Sequence, residues 1–289
     1  MNRMNWWKES PNGRRHPAPS DIGWLSQRLR PVTGGGLAKV PTLLAPTRPR
    51  ERSLEVRFTG QATDVAVRWR PGNDGDLLLC LHGFGCAKES FDSGFEVDCL
   101  ADVGICTVDL PGHGASGWLP EVPDVIEAYA QVVEMLVREL SPQRLFLLGH
   151  SMGGAVGLVA SQLVSVDGFL NVEGNLVAAD CGLVTRQTAA QARVEFITTG
   201  YDRFLAELEG SDQPALRQWA RWYKQAEPAT LHRLAGSLLA CFYGCDSDVS
   251  HLFPGLDGMA TYPVADAGHF PMVDNPDEFW QAVADALGR

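Results

Sequence analysis

Residues 144–155 read RLFLLGHSMGGA, and this stretch decides the fold. Residues 145–148 form a short apolar run, which is typical of a buried strand. The sequence GHSMG follows at once at positions 149–153, and an apolar helical run comes after it. A G-x-S-x-G pattern in this setting predicts a strand that turns sharply into a helix, with Ser151 strained and its hydroxyl exposed. Glycines flank the serine because larger side chains would crowd the turn.

The bulk composition indicates one large globular domain with an insertion. The chain has 289 residues, of which 45% are hydrophobic and 20% are charged. No apolar run approaches the roughly 18 residues of a membrane span, and the first 20 residues lack the apolar segment of a secretory signal. Seven cysteines occur without a C-x-x-C pair, which favours reduced thiols over disulfides or a zinc site. We therefore expect a cytoplasmic protein without a metal.

Charge divides the chain into a basic arm and an acidic body. Residues 1–50 carry nine basic and two acidic side chains, whereas the remainder carries 15 basic and 33 acidic ones. The prolines and glycines of residues 1–51 predict an irregular arm. We expect this arm to fold onto the acidic body or onto a second copy, forming a homodimer. Nucleic acid is not an expected partner, because the body would repel phosphate.

Strand and helix patterns alternate along the body. Residues 54–58 and 65–69 alternate between apolar and polar side chains, which predicts two amphipathic strands joined by a turn at Gly60. Continuous apolar runs predict buried strands at residues 77–81, 105–110 and 145–148. Helical patterns cover residues 124–140 and 277–287, and residues 261–264 resemble a further strand. This alternation predicts an α/β fold with a mostly parallel sheet.

Between residues 180 and 241 the pattern is helical throughout. We predict helices at residues 188–199, 201–208, 213–226 and 229–239. Aromatic side chains are frequent in this region, and we expect them to cover an apolar pocket.

Three motifs in a fixed order resemble the α/β-hydrolase superfamily. They are LHGFG at residues 81–85, GHSMG at 149–153 and AGHFPM at 267–272, and the resemblance extends over residues 53–289. It implies an α/β-hydrolase fold, in which helices flank a central, mostly parallel sheet. The core would comprise residues 52–180 and 241–289, with a helical cap inserted at residues 181–240.

The resemblance also implies the members of a catalytic site. Ser151 would be the nucleophile, and it needs a base because a free hydroxyl is a poor nucleophile near neutral pH. His269 would be that base, on the loop after the last strand. The backbone N–H of Met152, the residue after the serine, would help to bind the oxyanion. By resemblance, Phe84 N–H is the second donor.

The acid that orients His269 is open between two positions. One is Glu173, at the end of a strand over residues 169–172. The other is Asp246 or Asp248, which applies if residues 238–243 form strand seven. Ser151 and His269 are 118 residues apart, which is short for a family member with a four-helix cap. Residues 238–249 could therefore belong to the cap, and we favour Glu173.

These residues predict hydrolysis of a carboxylic ester or lactone of an apolar small molecule through an acyl-enzyme, without a cofactor. Substrate contacts are expected from Phe84, His150, Trp219, Trp222 and Tyr223. A thioesterase or a carbon–carbon bond hydrolase would use the same triad. A ligand receptor or a cyclase on the same scaffold is a further alternative, because function depends on the site and not on the fold.

Overall fold

A computed structural model describes residues 48–58, 60–175, 180–243 and 260–289. The predicted arm lies almost entirely outside these ranges, as do the alternative acids Asp246 and Asp248. The described strands are β1 Arg50–Phe58, β2 Gln61–Arg70, β3 Asp76–Leu81, β4 Gly104–Val108, β5 Arg144–His150 and β6 Gly168–Val172. They form one sheet in the order β1-β2-β4-β3-β5-β6.

The sheet is antiparallel at one edge and parallel elsewhere. Strands β1 and β2 form a hairpin, and β2 also pairs antiparallel with β4. Strand β3 pairs parallel with β4 and β5, and β5 pairs parallel with β6. Every residue of β3 and β4 is buried, as continuous apolar runs predict for strands covered on both faces. The predicted α/β fold with a mostly parallel sheet is confirmed.

The helices predicted to begin at positions 124 and 277 begin within one residue of these positions. Helix α1, Val125–Leu140, begins after Asp124, whose carboxylate accepts a hydrogen bond from the Glu127 N–H at 3.1 Å. Helix α2, Met152–Ala160, follows β5 directly. The chain ends with α8, Pro271–Asp274, and α9, Pro276–Ala286. Within the described ranges, no helix is long and apolar enough to cross a membrane.

Residues 183–243 contain helices joined by short connections and no strand, and we call this region the helical segment. It contains α3 Leu183–Ala190, α4 Arg193–Glu195, a π-helical turn Phe196–Gly200, α5 Tyr201–Glu209, α6 Pro214–Tyr223 and α7 Pro228–Tyr243. The single helix predicted over residues 188–199 is wrong, because Gln191 and Ala192 are extended, with ψ angles of 148° and 138°. The alternative of a strand at residues 238–243 is also wrong, because these residues belong to α7.

The strand expected before His269 is absent from the described residues. Residues 261–264 lie in an irregular segment, and all but Val264 are exposed. Pro263 has no N–H to donate to a neighbouring strand, which weighs against strand pairing here.

Candidate active site

Ser151 occupies the sharp turn between β5 and α2. Its backbone has φ 51° and ψ −118°, a strained conformation for a residue other than glycine. The flanking glycines are required by close packing. A Cβ atom on Gly149 would lie 2.4 Å from the Gly153 carbonyl oxygen, and one on Gly153 would lie 2.2 Å from the Leu81 oxygen. The turn predicted from the GHSMG sequence is therefore present.

Glu173 lies beside this turn, at the carboxyl end of β6. The Ser151 N–H donates to the Val172 oxygen at 3.0 Å, and the Asn175 N–H donates to the Ser151 oxygen at 2.9 Å. Glu173 is between these two attachment points and has a φ of 47°. Carboxyl ends of neighbouring parallel strands meet at one edge of a sheet, and this geometry brings Glu173 to Ser151.

His269 faces the Glu173 carboxylate. The His269 Nδ1 and Glu173 Oε2 atoms are 4.0 Å apart, within ion-pair range but longer than a hydrogen bond. The nearby His269 ring lowers the pKa of the Glu173 carboxyl, although the partial burial of this carboxyl acts in the opposite direction. Both side chains are about half exposed, at 45% for His269 and 52% for Glu173. A carboxylate held ionised beside an imidazole can orient that imidazole and stabilise its protonated form.

His150 ties the His269 loop to the serine turn. Its Nε2 atom is 2.8 Å from the His269 backbone oxygen, so Nε2 carries the proton, because a carbonyl oxygen only accepts. Burial lowers the pKa of His150 to about 3, and the neighbouring His269 ring adds to this effect. The ring is therefore neutral near pH 7. The ring is fully buried, and its predicted contact with the substrate stays a prediction.

The loop at residues 82–85 lies against the same turn. A Cβ atom on Gly83 would lie 2.8 Å from His150 Nδ1 and 3.1 Å from the Ser151 Cβ. The Gly83 oxygen is 3.1 Å from the Cys86 N–H nitrogen and 2.8 Å from His82 Nδ1, both of which donate to it. The His82 tautomer follows from its other nitrogen, Nε2, which accepts from the Leu110 N–H at 3.1 Å.

These contacts fix the peptide that carries the Phe84 N–H. The Gly83–Phe84 peptide is trans, so its N–H points away from the bonded Gly83 oxygen. Neither this N–H nor that of Met152 donates to another residue in the described part of the chain. Free N–H groups on a rigid turn and at a helix N-terminus suit a developing negative charge.

Aromatic side chains of α6 pack on these loops. Trp219, Trp222 and Tyr223 are all buried. The Trp219 Nε1–H donates to the Phe84 oxygen at 3.0 Å. The Phe270 ring lies 5.5 Å from the Trp219 ring and 6.4 Å from the Trp222 ring, measured between centroids. The three aromatic residues of α6 that are predicted to contact the substrate therefore lie in one cluster, next to the loops of Phe84 and His269.

Sequence reasoning missed Phe270 as a member of the site. Its buried ring contacts His150 and His269 at centroid distances of 5.2 Å each, as well as Trp219. The one feature of the sequence that could have indicated Phe270 is its position directly after the predicted base, His269. Its neighbours could not be inferred, because they come from distant parts of the chain.

Comparison with known proteins agrees with this architecture. A human serine hydrolase-like protein is 34% identical over 84 residues, which cover 29% of this chain and 41% of that protein. An esterase of Mycobacterium tuberculosis is 30% identical over 133 residues, which cover 45% of this chain and 40% of the esterase. The matched regions thus span less than half the length of these curated relatives.

Solved structures share the fold at low sequence identity. An esterase of Thermogutta terrifontis superposes with a TM-score of 0.61 at 18% identity, covering 83% of this chain and 98% of that one. An N-acyl homoserine lactonase superposes with a TM-score of 0.62 at 16% identity, covering 82% and 96%. Residues 78–282, most of the chain, match the α/β-hydrolase family in sequence, and the chain belongs to that family.

Proposed function

We propose that this chain is a serine hydrolase that cleaves a carboxylic ester or lactone of an apolar small molecule through an acyl-enzyme. The observation that carries the proposal is the Glu173–His269 pair, with 4.0 Å between Oε2 and Nδ1, beside the strained Ser151. A serine in this backbone conformation has its hydroxyl lifted from the turn, where a base can reach it.

The reaction follows from the roles that these groups can take. Ser151 Oγ attacks the carbonyl carbon while His269 Nε2 takes its proton, because Nδ1 faces Glu173. The N–H groups of Phe84 and Met152 hold the oxyanion. The carbon–oxygen bond to the leaving group then breaks, and His269 gives its proton to the departing oxygen. Water attacks the acyl-enzyme with the same imidazole as base and releases the acid.

The aromatic cluster supports an apolar acyl or alcohol group in the substrate. Trp219, Trp222 and Phe270 are buried side by side next to His269. Burial of apolar substrate surface against such rings is favourable, at roughly 25 cal/mol per Å². The names of the relatives and structural neighbours, which include serine hydrolases, esterases and a lactonase, agree with this substrate class.

A substrate panel tests the proposal. We would measure turnover of 4-nitrophenyl esters of increasing acyl length, of alkyl lactones and of an acyl thioester, with Ser151→Ala protein as the blank. We expect wild-type turnover of an ester or lactone to exceed that of Ser151→Ala by about 10³-fold or more. Preference for the thioester would favour a thioesterase. Ligand binding without turnover of any substrate would favour a receptor and contradict the proposal.

A further inference from the structure

The loop at residues 82–85 is held from two sides. On the core side, Cys86 N–H and His82 Nδ1 hold the Gly83 oxygen, at 3.1 and 2.8 Å. On the other side, the indole of Trp219 holds the Phe84 oxygen at 3.0 Å. The two residues of this last contact are 135 positions apart, so the bond joins the helical segment to the loop that follows β3.

Side chains of helix α6 contact the backbone of this loop directly at Gly85. Gly85 has a φ of 63°, and a Cβ atom there would lie 2.4 Å from the Tyr223 ring and 3.4 Å from Trp219 Nε1. Only glycine fits such a contact at a positive φ. Trp219 is itself 9% exposed, and its ring is supported by Phe204 at 5.5 Å between centroids. The indole N–H is therefore a fixed donor and not a mobile surface group.

Fixing the Phe84 oxygen also restricts the Phe84 N–H. Both groups flank the same α carbon, and the Gly83–Phe84 peptide is already held by the Gly83 oxygen. With the next peptide held by Trp219, the φ and ψ angles of Phe84 have little freedom. Donors to an oxyanion accelerate a reaction only when they are oriented before the charge develops.

Trp219 also contacts the loop of the predicted base. Its ring lies 5.5 Å from the Phe270 ring between centroids, and Phe270 directly follows His269. A single buried indole thus touches the loop of the predicted oxyanion donor and the neighbour of the predicted base.

We propose that Trp219 is a positioning residue that sets the direction of the Phe84 N–H, so that turnover requires α6 to be seated on the loop at residues 82–85. This inference rests on the proposed function, since it assigns an oxyanion role to Phe84. It gives the helical segment a part in the chemistry beyond covering the substrate.

The experiment removes the indole N–H in one variant that keeps the bicyclic ring and in a second variant that does not. Trp219 would be replaced by 3-benzothienylalanine, in which sulfur takes the place of N–H, and by phenylalanine. The matched control is Trp280 of α9, another buried indole, whose Nε1–H donates to Ser93 Oγ at 2.8 Å. For each variant we would measure kcat, KM, and the affinity of a trifluoromethyl ketone, which forms a tetrahedral adduct with the serine. The affinity of the product acid would serve as the reference.

We expect both Trp219 variants to lose about 10-fold or more in kcat and in trifluoromethyl ketone affinity, since one removed oxyanion donor costs about 10²–10³-fold. In the benzothienylalanine variant, which keeps the bicyclic ring, KM and product affinity should change less than about 3-fold, because ground-state binding does not use the oxyanion donor. The Trp280 variants should keep kcat. Unchanged kcat and ketone affinity in the benzothienylalanine variant at Trp219, with an active wild type, would overturn this inference alone. A wild type without turnover would instead overturn the proposed function.

Discussion

The Nε2 atom of His150 lies 2.8 Å from the backbone oxygen of His269, across 119 positions of sequence. This bond joins the residue before the predicted nucleophile to the residue that is the predicted base. It holds the His269 main chain while leaving the His269 imidazole to face Glu173. The relative placement of the predicted base and the predicted nucleophile therefore depends on a buried, neutral histidine.

We expect His150→Phe to lower kcat by about 10-fold or more, because a small displacement of a catalytic group is costly. His232→Phe is the matched control. His232 Nε2 also pairs with a backbone oxygen, that of Gln191 at 2.9 Å, but it does so in the helical segment. Steady-state kinetics on the best ester, with thermal unfolding to check folding, would give the comparison. Equal kcat in both variants would refute the positioning role of His150.

Glu173→Gln should lower kcat by about 10²–10⁴-fold, because the amide does not stabilise the protonated imidazole. Asp246→Asn and Asp248→Asn should keep kcat within about 3-fold if Glu173 is the acid. Each of the three variants replaces one carboxylate oxygen by an NH2 group of nearly the same size, so the variants differ from wild type in charge and hydrogen bonding but not in volume. A larger loss in either aspartate variant than in Glu173→Gln would assign the acid to that position.

Gly83→Ala should reduce both activity and stability. The new Cβ would lie 2.8 Å from His150 Nδ1 and 3.1 Å from the Ser151 Cβ, and relieving this contact would move the loop at residues 82–85. We expect a loss of about 1–3 kcal/mol in the free energy of unfolding, as in other overpacked sites. Gly182→Ala is the control, because nothing lies within 4 Å of its added Cβ and its φ of −62° suits alanine. Urea denaturation and kcat would be measured for both, and equal behaviour would contradict the packing argument.

Mild acid should destabilise the fold through its buried histidines. Burial lowers the pKa of His82, His113 and His150, the last to about 3. Below about pH 6.5 the unfolded chain binds protons at these positions more readily than the folded chain does, so the free energy of unfolding decreases as the pH decreases. Each histidine can contribute a loss of up to about 2 kcal/mol between pH 7 and pH 5.

His113→Phe tests this expectation outside the site. The His113 ring packs 4.8 Å from the His82 ring and 6.2 Å from the Tyr129 ring between centroids, a setting that suits phenylalanine. The variant should lose about 1–2 kcal/mol less stability than wild type between pH 7 and pH 5, measured by urea unfolding at both values. The same pH dependence in both proteins would show that His113 is protonated in the folded state.

The sequence predicts those parts of the fold that are determined by neighbouring residues. The buried run and glycines around Ser151 determine a strand, turn and helix, and Asp124 determines the start of α1. The break at residues 191–192 carries no proline or glycine, so a local pattern could not reveal it. The apolar and aromatic residues 238–243 suit either a strand or a helix when they are considered alone. In the structure they are the last residues of the 16-residue helix α7.

The candidate site also combines features that the sequence predicts with features that it does not. Glu173 could be brought near Ser151 from sequence because both follow adjacent parallel strands. The bonds from Trp219 to Phe84 and from His150 to His269 could not be predicted, because each joins residues more than 100 positions apart. Such contacts depend on how the helical segment and the chain end pack on the sheet, and no local periodicity encodes that packing.

The most direct test of the account is covalent labelling with a fluorophosphonate, followed by mass spectrometry of the digested protein. We expect one adduct per chain, on the peptide that contains Ser151, and none in Ser151→Ala. Labelling should also slow markedly in His269→Ala, since the hydroxyl would lack its base. An adduct on another residue, or no adduct in folded wild-type protein, would contradict the assignment of Ser151 as the nucleophile.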